Sequence, residues 1–256
     1  MKKKLFTCTG SHEEDNLAKL DKEKLFSSEE RSWISEQELK NTYLSSKDKL
    51  LEWSIKENAG LKFAAINEAA NRISEKGFKK ILSLGSGMSD NEYFLHLGVE
   101  KNVEIISSEY DTYAVKKSNE YFPEFKTIKF DLNYDLVTSL NEKFDAVIFF
   151  GAAYAMDDKE FIRLFKDIKE AGVKEIMDFH AGYITNIERI KYYLRPTYKF
   201  LKNTFSNQKV YQGKFHGFGR TRKELLRLYS AAGWETHKIM INRGIYPFSI
   251  ILNPKQ

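Results

Sequence analysis

Residues 81–94 read ILSLGSGMSDNEYF, and this stretch decides the fold class of the chain. An apolar run ends at Leu84, a Gly-Ser-Gly follows at 85–87, and an acidic segment typical of a helix start comes next. Glycines directly after a strand allow a tight turn and bring the backbone close to a small polar ligand. A GxG alone is a weak signal, because a strand–helix turn without any ligand has the same pattern.

Beyond Gly77 the sequence alternates between apolar strands and amphipathic helices. The strands are predicted at KILSL (80–84), VEIIS (103–107), KTIKF (126–130), DAVIFF (145–150) and KEIMDF (174–179). Strands that are nearly continuous apolar runs, separated by helices, indicate a parallel sheet covered on both faces. We therefore predict a doubly wound α/β fold with helices on both faces of a mostly parallel sheet.

The carboxyl-terminal part departs from this alternation. Two further strands, HKIMIN (237–242) and FSIIL (248–252), are separated only by RGIYP. A parallel crossover needs about a dozen residues or more, so these strands are either antiparallel neighbours or members of different sheets.

The amino-terminal part is organised differently. Residues 1–30 are polar with little apolar periodicity, whereas residues 35–75 have a helical pattern. We expect an arm and a helical lid over residues 1–76, followed by a sheet domain over residues 77–256. A helical insertion at about 183–212 is expected to cover the crevice of that domain.

Composition indicates a soluble globular protein, with 42% apolar and 30% charged residues. The start, MKKKLFTCTGSHEEDN, lacks the apolar region of a signal peptide, and the apolar run at 146–156 is too short to span a bilayer. A cytoplasmic location without membrane insertion is the resulting expectation.

A single cysteine, Cys8, excludes internal disulfides and Cys-cluster zinc sites. No spacing of acids and histidines indicates a metal site, and we predict none.

Positive charge is concentrated near the carboxyl-terminal third of the chain. Residues 186–230 carry eleven Lys or Arg against two Glu, whereas the net charge of the whole chain is +5. A basic segment set against an acidic remainder indicates an anionic partner.

Two carboxylates follow neighbouring strands of the predicted sheet. Glu109 ends the second strand, twenty-two residues beyond Gly87, and Asp131 follows the third strand. An acid about 20 residues past the glycines accepts hydrogen bonds from ribose hydroxyls in nucleotide-binding folds. A second carboxylate at the next strand end could meet an adenine amino group. Either acid alone has the simpler interpretation of a solvated loop charge or helix cap.

The glycine spacing distinguishes between two adenosine-containing ligands, NAD and S-adenosylmethionine. A dinucleotide fingerprint, G-x-G-x-x-G, requires a glycine where this chain has Asp90. A carboxylate there would repel a pyrophosphate at the helix N-terminus. S-adenosylmethionine has no phosphate and carries a sulfonium and an ammonium group, so it suits this turn better than NAD.

At this point the chain resembles the class I S-adenosylmethionine-dependent methyltransferases over roughly residues 78–252. The motifs concerned are LSLGSGMSD, IISSEYD, IKFDLN, FDAVIFFGAAYAMDD and AAGWE, in that order. The resemblance implies a seven-stranded sheet whose last strand is antiparallel. For the cofactor it implies methionine contacts from Gly85, Ser86 and Gly87, ribose contacts from Glu109, stacking of Tyr110 on adenine, an adenine-edge contact from Asp131, and a place for Gly151 after the fourth strand. Many members have a third glycine where this chain has Ser89.

Methyl transfer requires an aligned nucleophile, and a hydroxyl nucleophile also requires a base. Tyr154 follows the fourth strand, and His180 follows the fifth with Asp178 two residues earlier, on the same side of an extended chain. His216 lies between two glycines in KFHGFGR. These three residues, Tyr154, His180 and His216, are the catalytic candidates; each histidine could instead be an ordinary hydrogen-bonded loop residue.

The candidate substrate-binding residues are cations. Arg195 lies in the basic insertion, and Arg220 precedes Thr221, the predicted cap of a helix. Arg220 could point into the crevice or be a surface charge near a helix start.

The favoured function is methylation of a small anionic acceptor, such as a phosphorylated or nucleotide-linked sugar, as in the modification of surface polysaccharides. An RNA methyltransferase is the alternative enzyme, because basic residues interleaved with Tyr and Phe suit nucleic acid. Against it, the chain has no Pro-Pro-Tyr motif after the fourth strand and no cysteine near the predicted site. A non-catalytic S-adenosylmethionine-binding protein is the third hypothesis.

Overall fold

Residues 43–187, 218–241 and 246–255 are described by the computed structural model, apart from the side chains of residues 57–61. Within these ranges, five α-helices surround one sheet. The helices are α1 (Lys47–Lys76), α2 (Asp90–Gly98), α3 (Thr112–Tyr121), α4 (Asp158–Glu170) and α5 (Arg222–Ala231). Short 3-10 helices lie at Tyr43–Ser45, Val137–Leu140 and Ala153–Ala155. No helix in this part of the chain is long and apolar enough to cross a membrane.

Seven strands of the described residues form a single sheet. They are β1 (Lys80–Leu84), β2 (Glu104–Glu109), β3 (Lys126–Lys129), β4 (Ala146–Phe150), β5 (Glu175–His180), β6 (Trp234–Ile241) and β7 (Phe248–Pro254). Their order in the sheet is β3-β2-β1-β4-β5-β7-β6. β1 to β5 are parallel, and β7 runs antiparallel to both of its neighbours, β5 and β6. The predicted doubly wound sheet with an antiparallel last strand is confirmed.

The sheet is buried on both faces, which explains the continuous apolar runs of its central strands. In β4, Ala146, Ile148 and Phe150 belong to the core shared with α1, α2 and α3. Val147 and Phe149 belong to the opposite core, which contains the apolar residues of α4 and α5. Successive side chains of a strand point to opposite faces of the sheet. A strand that is buried on both faces therefore has apolar residues at successive positions, without an alternation of apolar and polar residues.

The edge strand β6 begins at Trp234, three residues before its predicted start at His237. Trp234 is buried and its indole N–H donates to the carbonyl of Phe165 over 2.7 Å. The next residues, Glu235 to Lys238, are exposed. An exposed polar run has no apolar alternation, and the sequence pattern therefore missed the first three residues of this strand.

Helix α1 is a continuous layer of the sheet domain. Its residues Ile66, Ala69 and Ile73 are buried in the core with β1, β4 and β5. Arg72 forms a two-pronged ion pair with Glu175 at the start of β5, with distances of 2.8 and 2.6 Å. The predicted boundary at residue 76 therefore cuts through a shared core, and at least this part of the predicted lid is a packed helix. Of the predicted insertion at 183–212, residues 188–212 lie outside the described ranges.

Candidate functional site

The candidate site lies where the strand order reverses, between the carboxyl ends of β1 and β4. Gly85 ends β1 with a φ of 71°, and Gly151 follows β4 with a φ of 75°. A Cβ on Gly85 would lie 2.5 Å from the Cβ of Ala152. The two turns therefore pack directly on each other, and glycine at position 85 is required by both backbone conformation and space.

The carboxylate of Glu109 lies directly beneath the glycine turn. Its Oε2 accepts the backbone N–H of Gly87 over 2.8 Å, and its Oε1 accepts those of Tyr110 and Asp111 over 3.0 and 3.2 Å. Glu109 is only 3% exposed, and this burial raises its pKa to about 7 although the three N–H donors act in the opposite direction. A carboxylate has about four acceptor positions, so one remains for a ligand donor.

The side chain of Ser86 points away from the turn, into a buried cluster of hydroxyl groups. Its Oγ lies 3.1 Å from that of Ser89 and 2.6 Å from that of Ser107, and Ser89 and Ser107 are 2.8 Å apart. Ser86 also donates its backbone N–H to the carbonyl of Ser108 over 2.8 Å. The structure thus shows Ser86 fastening the turn to β2, while a contact of its side chain with a cofactor stays a prediction.

Ser89 occupies the position at which related turns have a third glycine, and its backbone is left-handed with a φ of 60°. It is the N-cap residue of α2, but its hydroxyl makes no capping hydrogen bond to that helix. The hydroxyl binds Ser107 instead. The strained backbone is therefore held by side-chain hydrogen bonds that a glycine could not make.

The negative charge of Asp90 is neutralised by a cation that the sequence analysis did not identify. Its Oδ2 is in contact with the ammonium of Lys62 and accepts the hydroxyl of Ser54 over 2.7 Å. Both Lys62 and Asp90 are buried, and Lys62 also donates to Ser54 over 2.9 Å. Because this charge is neutralised within the protein, Asp90 gives less reason to reject a pyrophosphate than the sequence suggested.

The predicted adenine-side residues lie beside Glu109 at the same edge of the sheet. Phe130, just before Asp131, donates its backbone N–H to the carbonyl of Glu109 over 2.9 Å. The Oδ1 of Asp131 accepts the backbone and side-chain N–H groups of Asn133 over 2.9 and 3.1 Å. Tyr110 and Asp131 are partly exposed, as ligand contacts at a crevice would be.

Tyr154 and His180 approach each other across Gly182. Tyr154 belongs to the 3-10 helix after β4, and His180 is the last residue of β5. A Cβ on Gly182 would lie 2.5 Å from the Cβ of Tyr154 and 3.3 Å from the Nε2 of His180. The structure therefore brings two of the three catalytic candidates together. The third candidate, His216, lies outside the described residues, as does Arg195.

Arg220 is enclosed by the protein and is not a surface charge. Its Nη2 donates to the carbonyl of Met156 over 2.6 Å and lies 3.2 Å from the Oδ1 of Asp158. The guanidinium also lies over the rings of Phe161 and Phe218. Burial lowers its pKa, while Asp158 acts in the opposite direction. Arg220 thus connects α4 to the segment before α5, and a contact with substrate stays a prediction.

Tyr246 is a residue of this site that the sequence analysis missed. Its ring packs against Phe150 and Phe179, and its Cε1 would lie 2.9 Å from a Cβ on Gly151. Its hydroxyl accepts the side-chain N–H of Asn91 over 3.2 Å, and burial raises its pKa. The antiparallel order of β6 and β7 places their connection at the carboxyl edge of β5, and this consequence of the predicted hairpin could have identified Tyr246.

A cavity of about 760 Å³ lies beyond the end of β5. It is lined by segment 183–187 and by the first turns of α5, which contribute apolar side chains and two cations. The main lining residues are Tyr183, Ile184, Thr185, Arg222, Lys223 and Leu226. In the described part of the chain, no three His, Cys, Asp or Glu side chains are grouped so that they could hold a metal ion.

No protein-family model matches the sequence, and no curated protein matches it significantly. Solved structures match over most of the chain. Human N-acetylserotonin methyltransferase in complex with S-adenosylmethionine has a TM-score of 0.56 and 14% identity, and covers 89% of this chain and 62% of its own. The chain has the fold of the S-adenosylmethionine-dependent methyltransferases. This methyltransferase fold was the fold that the sequence motifs predicted.

Two bacterial structures with the same methyltransferase fold are similar over almost their whole length. CalS10, an amino pentose methyltransferase from Micromonospora echinaspora, has a TM-score of 0.56 and 12% identity, covering 80% of this chain and 97% of its own. A methyltransferase from Clostridium acetobutylicum has a TM-score of 0.54 and 9% identity, covering 82% and 99%. The chain spans 62% of the length of the human enzyme.

Proposed function

We propose that the protein is an S-adenosylmethionine-dependent methyltransferase acting on a small molecule. The observation that carries this proposal is the position of Glu109. Its buried carboxylate lies under the Gly85–Gly87 turn at the strand-order reversal of a methyltransferase fold, with an acceptor position left for a ribose hydroxyl. Structures with this fold include the human enzyme in complex with S-adenosylmethionine and CalS10 with S-adenosylmethionine bound.

The residues around the turn fit this cofactor. Gly85 and Gly151 have no Cβ, so both turns keep left-handed backbones and pack closely against Ala152 and Tyr246, which fixes their shape. Glu109 would accept from the ribose hydroxyls and Asp131 would lie at the adenine edge. The nearby cation, Lys62, is already paired with Asp90 and is therefore not free to bind a pyrophosphate. Once bound, the cofactor supplies a methyl group on a sulfonium.

The protein's contribution is to orient the acceptor and to exclude water. Tyr246 closes the side of the site next to Gly151, and Tyr154 closes the side next to Gly182. Both side chains are packed against glycine backbones, which fixes their positions. We infer that they shape the space in which the acceptor meets the methyl group.

The cavity beyond β5 supports a small anionic acceptor. Arg222 and Lys223 stand at its wall, next to the apolar surface of Tyr183, Ile184 and Leu226. An acceptor with a phosphate or carboxylate at one end, such as a phosphorylated or nucleotide-linked sugar, has the matching charge. This choice of acceptor agrees with the positive charge of residues 186–230.

Calorimetric titration with S-adenosylmethionine tests the proposal. Replacing Glu109 with Ala removes hydrogen bonds to a charged group, and we expect affinity to fall on the order of 10- to 100-fold. Glu104→Ala is the matched control, because Glu104 is exposed at the opposite end of the same strand and should leave affinity unchanged. Equal affinity of both variants, or binding of NAD in place of S-adenosylmethionine, would contradict the proposal.

Methyl-labelled S-adenosylmethionine then tests the acceptor class. The wild-type protein is incubated with phosphorylated sugars, nucleotide sugars and RNA at low and high salt. We expect label in an anionic small molecule. Label in RNA that falls steeply with salt would instead show a nucleic-acid methyltransferase, and binding without any transfer would show a non-catalytic protein.

A further inference from the structure

Three buried side chains form a hydrogen-bonded chain that ends at the candidate site. The hydroxyl of Tyr229, in α5, donates to the Oδ2 of Asp178 over 2.5 Å. The same oxygen lies 3.2 Å from the Nδ1 of His180. All three residues are almost completely buried. The chain therefore links a helix on one face of the sheet to the carboxyl end of β5.

The hydrogen-bond pattern fixes the tautomer of His180. Burial next to Asp178 raises the pKa of Tyr229 well above its ordinary value, so Tyr229 keeps its proton and donates it. The shared oxygen of Asp178 then accepts from both sides. The Nδ1 of His180 must carry a hydrogen to take part, and the Nε2 is left with a free lone pair.

The free Nε2 lies beside the backbone of Gly182. Neither protein donor nor acceptor meets it among the described residues. A Cβ on Gly182 would lie only 3.3 Å from this nitrogen and 2.5 Å from the Cβ of Tyr154. A fully buried polar atom without a partner is uncommon, and we infer that this one is a place for a ligand group.

Resting on the proposed function, we propose that the acceptor presents a hydroxyl group to the Nε2 of His180, and that Asp178 and Tyr229 are positioning residues for this histidine. The hydroxyl proton moves to Nε2 as the oxygen attacks the methyl carbon. An oxygen–carbon bond forms, the sulfur–carbon bond breaks, and its electron pair stays on sulfur as a neutral thioether. The imidazolium that results is stabilised by the Asp178 carboxylate.

This assignment agrees with the neighbouring cavity. His180 is followed within a few residues by Tyr183 and Ile184, which line the cavity with Arg222 and Lys223. An acceptor that carries an anionic group and a hydroxyl can place the anion at the two cations and the hydroxyl at Nε2. The acceptor class is therefore a hydroxylated anion, and the product is an ether.

The ionisable groups around His180 come from several elements. Asp178 lies on its own strand, Tyr229 on α5, and Tyr154 on the 3-10 helix after β4. Arg220 acts on Tyr229 from the segment before α5, where its charge lowers the pKa of that hydroxyl. Removing the Tyr229 hydroxyl takes one of the two donors from the Oδ2 of Asp178, so the hydrogen bond from the Nδ1 of His180 should become stronger.

Nitrogen-15 NMR of the histidine side chains tests the positioning without any acceptor. His180→Gln identifies the signals, and the wild type should show a hydrogen on Nδ1 and none on Nε2. In Tyr229→Phe the stronger hydrogen bond to Asp178 should move the Nδ1 proton signal downfield. Tyr121→Phe is the matched control, because Tyr121 is also buried and its hydroxyl donates to the carbonyl of Leu44, far from His180. A hydrogen on Nε2 in the wild type, or equal Nδ1 proton shifts in the two Phe variants, would overturn the positioning role.

Methyl transfer from labelled S-adenosylmethionine to a panel of phosphorylated alcohols, phenols, amines and carboxylates tests the acceptor class. We expect a base-stable ether product, a fall in kcat of about 100-fold or more for His180→Gln, and a smaller fall for Tyr229→Phe. Label only in amines or carboxylates, label in none of the hydroxyl compounds, or an unchanged rate for His180→Gln would overturn the inference. Calorimetry with S-adenosylmethionine distinguishes failure of this inference from failure of the proposed function. If only the inference is wrong, the wild type still binds the cofactor. If the proposed function is wrong, the wild type does not bind it.

Discussion

The ammonium of Lys62 is buried against the carboxylate of Asp90, the first residue of α2. The two residues come from different helices, and both also bind the hydroxyl of Ser54. The contact fastens α1 to the start of the helix that follows the glycine turn. A buried ion pair is held in place by the cost of leaving either charge alone.

Replacing Lys62 with Met should therefore destabilise the protein strongly, by about 3–5 kcal/mol, because Asp90 would be left as an uncompensated buried charge. Chemical denaturation measures this change. Lys56→Met is the control, since Lys56 is an exposed residue of the same helix and is paired with Glu52 at the surface. The double variant Lys62→Met/Asp90→Asn should regain part of the loss, and a double variant as unstable as Lys62→Met would contradict the explanation.

Two glycines with similar backbones separate conformational strain from crowding. Gly85 and Gly77 have φ angles of 71° and 63°, but a Cβ would meet Ala152 at 2.5 Å only at Gly85, and nothing within 4 Å at Gly77. Gly77→Ala should cost about 1 kcal/mol from strain alone, and Gly85→Ala about 1–3 kcal/mol more. Thermal unfolding of both variants measures the difference. Gly85→Ala should also weaken S-adenosylmethionine binding, whereas equal effects of the two changes would show that the packing on Ala152 is unimportant.

Glu92 should make stability depend on pH. It is completely buried, its Oε1 accepts the hydroxyl of Ser83 over 2.6 Å, and burial raises its pKa from 4.5 to about 7. The folded state holds this proton more tightly, so the contribution of Glu92 to the free energy of unfolding should be complete below pH 4.5 and should fall by about 3 kcal/mol as pH rises to 7. Denaturation across this range should show a smaller fall for Glu92→Gln. The remaining fall is expected from Glu109, whose pKa burial also raises to about 7.

The control for this pH dependence is Glu120→Gln, because Glu120 is exposed and paired only with Lys117. Its pH profile should match the wild type. A Glu92→Gln profile that also matches the wild type would show that folding does not raise the pKa of Glu92.

The sequence was most informative where strand periodicity and chain order determine position. The period of two in a strand placed Asp178 and His180 on one side of β5, and the structure shows them 3.2 Å apart. The end of β2 at Glu109 followed from the order of strands and the distance from Gly87. Such features depend on neighbours along the chain, so a single sequence is enough to infer them.

Partners distant in the chain were not predictable in this way. Asp90 gave no sign of Lys62, which lies in another helix, and Arg220 gave no sign of its pair with Asp158. Tyr246 reaches Asn91 only because β7 returns next to β5. Each of these contacts depends on how helices pack across the sheet, and apolar periodicity gives the buried face of a helix but not the polar partner that meets it.

Ser89 offers a measurement of the strain at the glycine turn. Its φ of 60° is unfavourable for a residue with a Cβ, and its hydroxyl lies 2.8 Å from that of Ser107. Ser89→Ala and Ser89→Gly both remove the hydroxyl, but only the glycine relieves the backbone. We expect the glycine variant to be the more stable of the two by about 1 kcal/mol, and both to bind S-adenosylmethionine, since the Gly87–Glu109 hydrogen bond is retained. Urea denaturation of the pair measures the difference; an alanine variant as stable as the glycine variant would mean that the left-handed backbone at position 89 costs nothing.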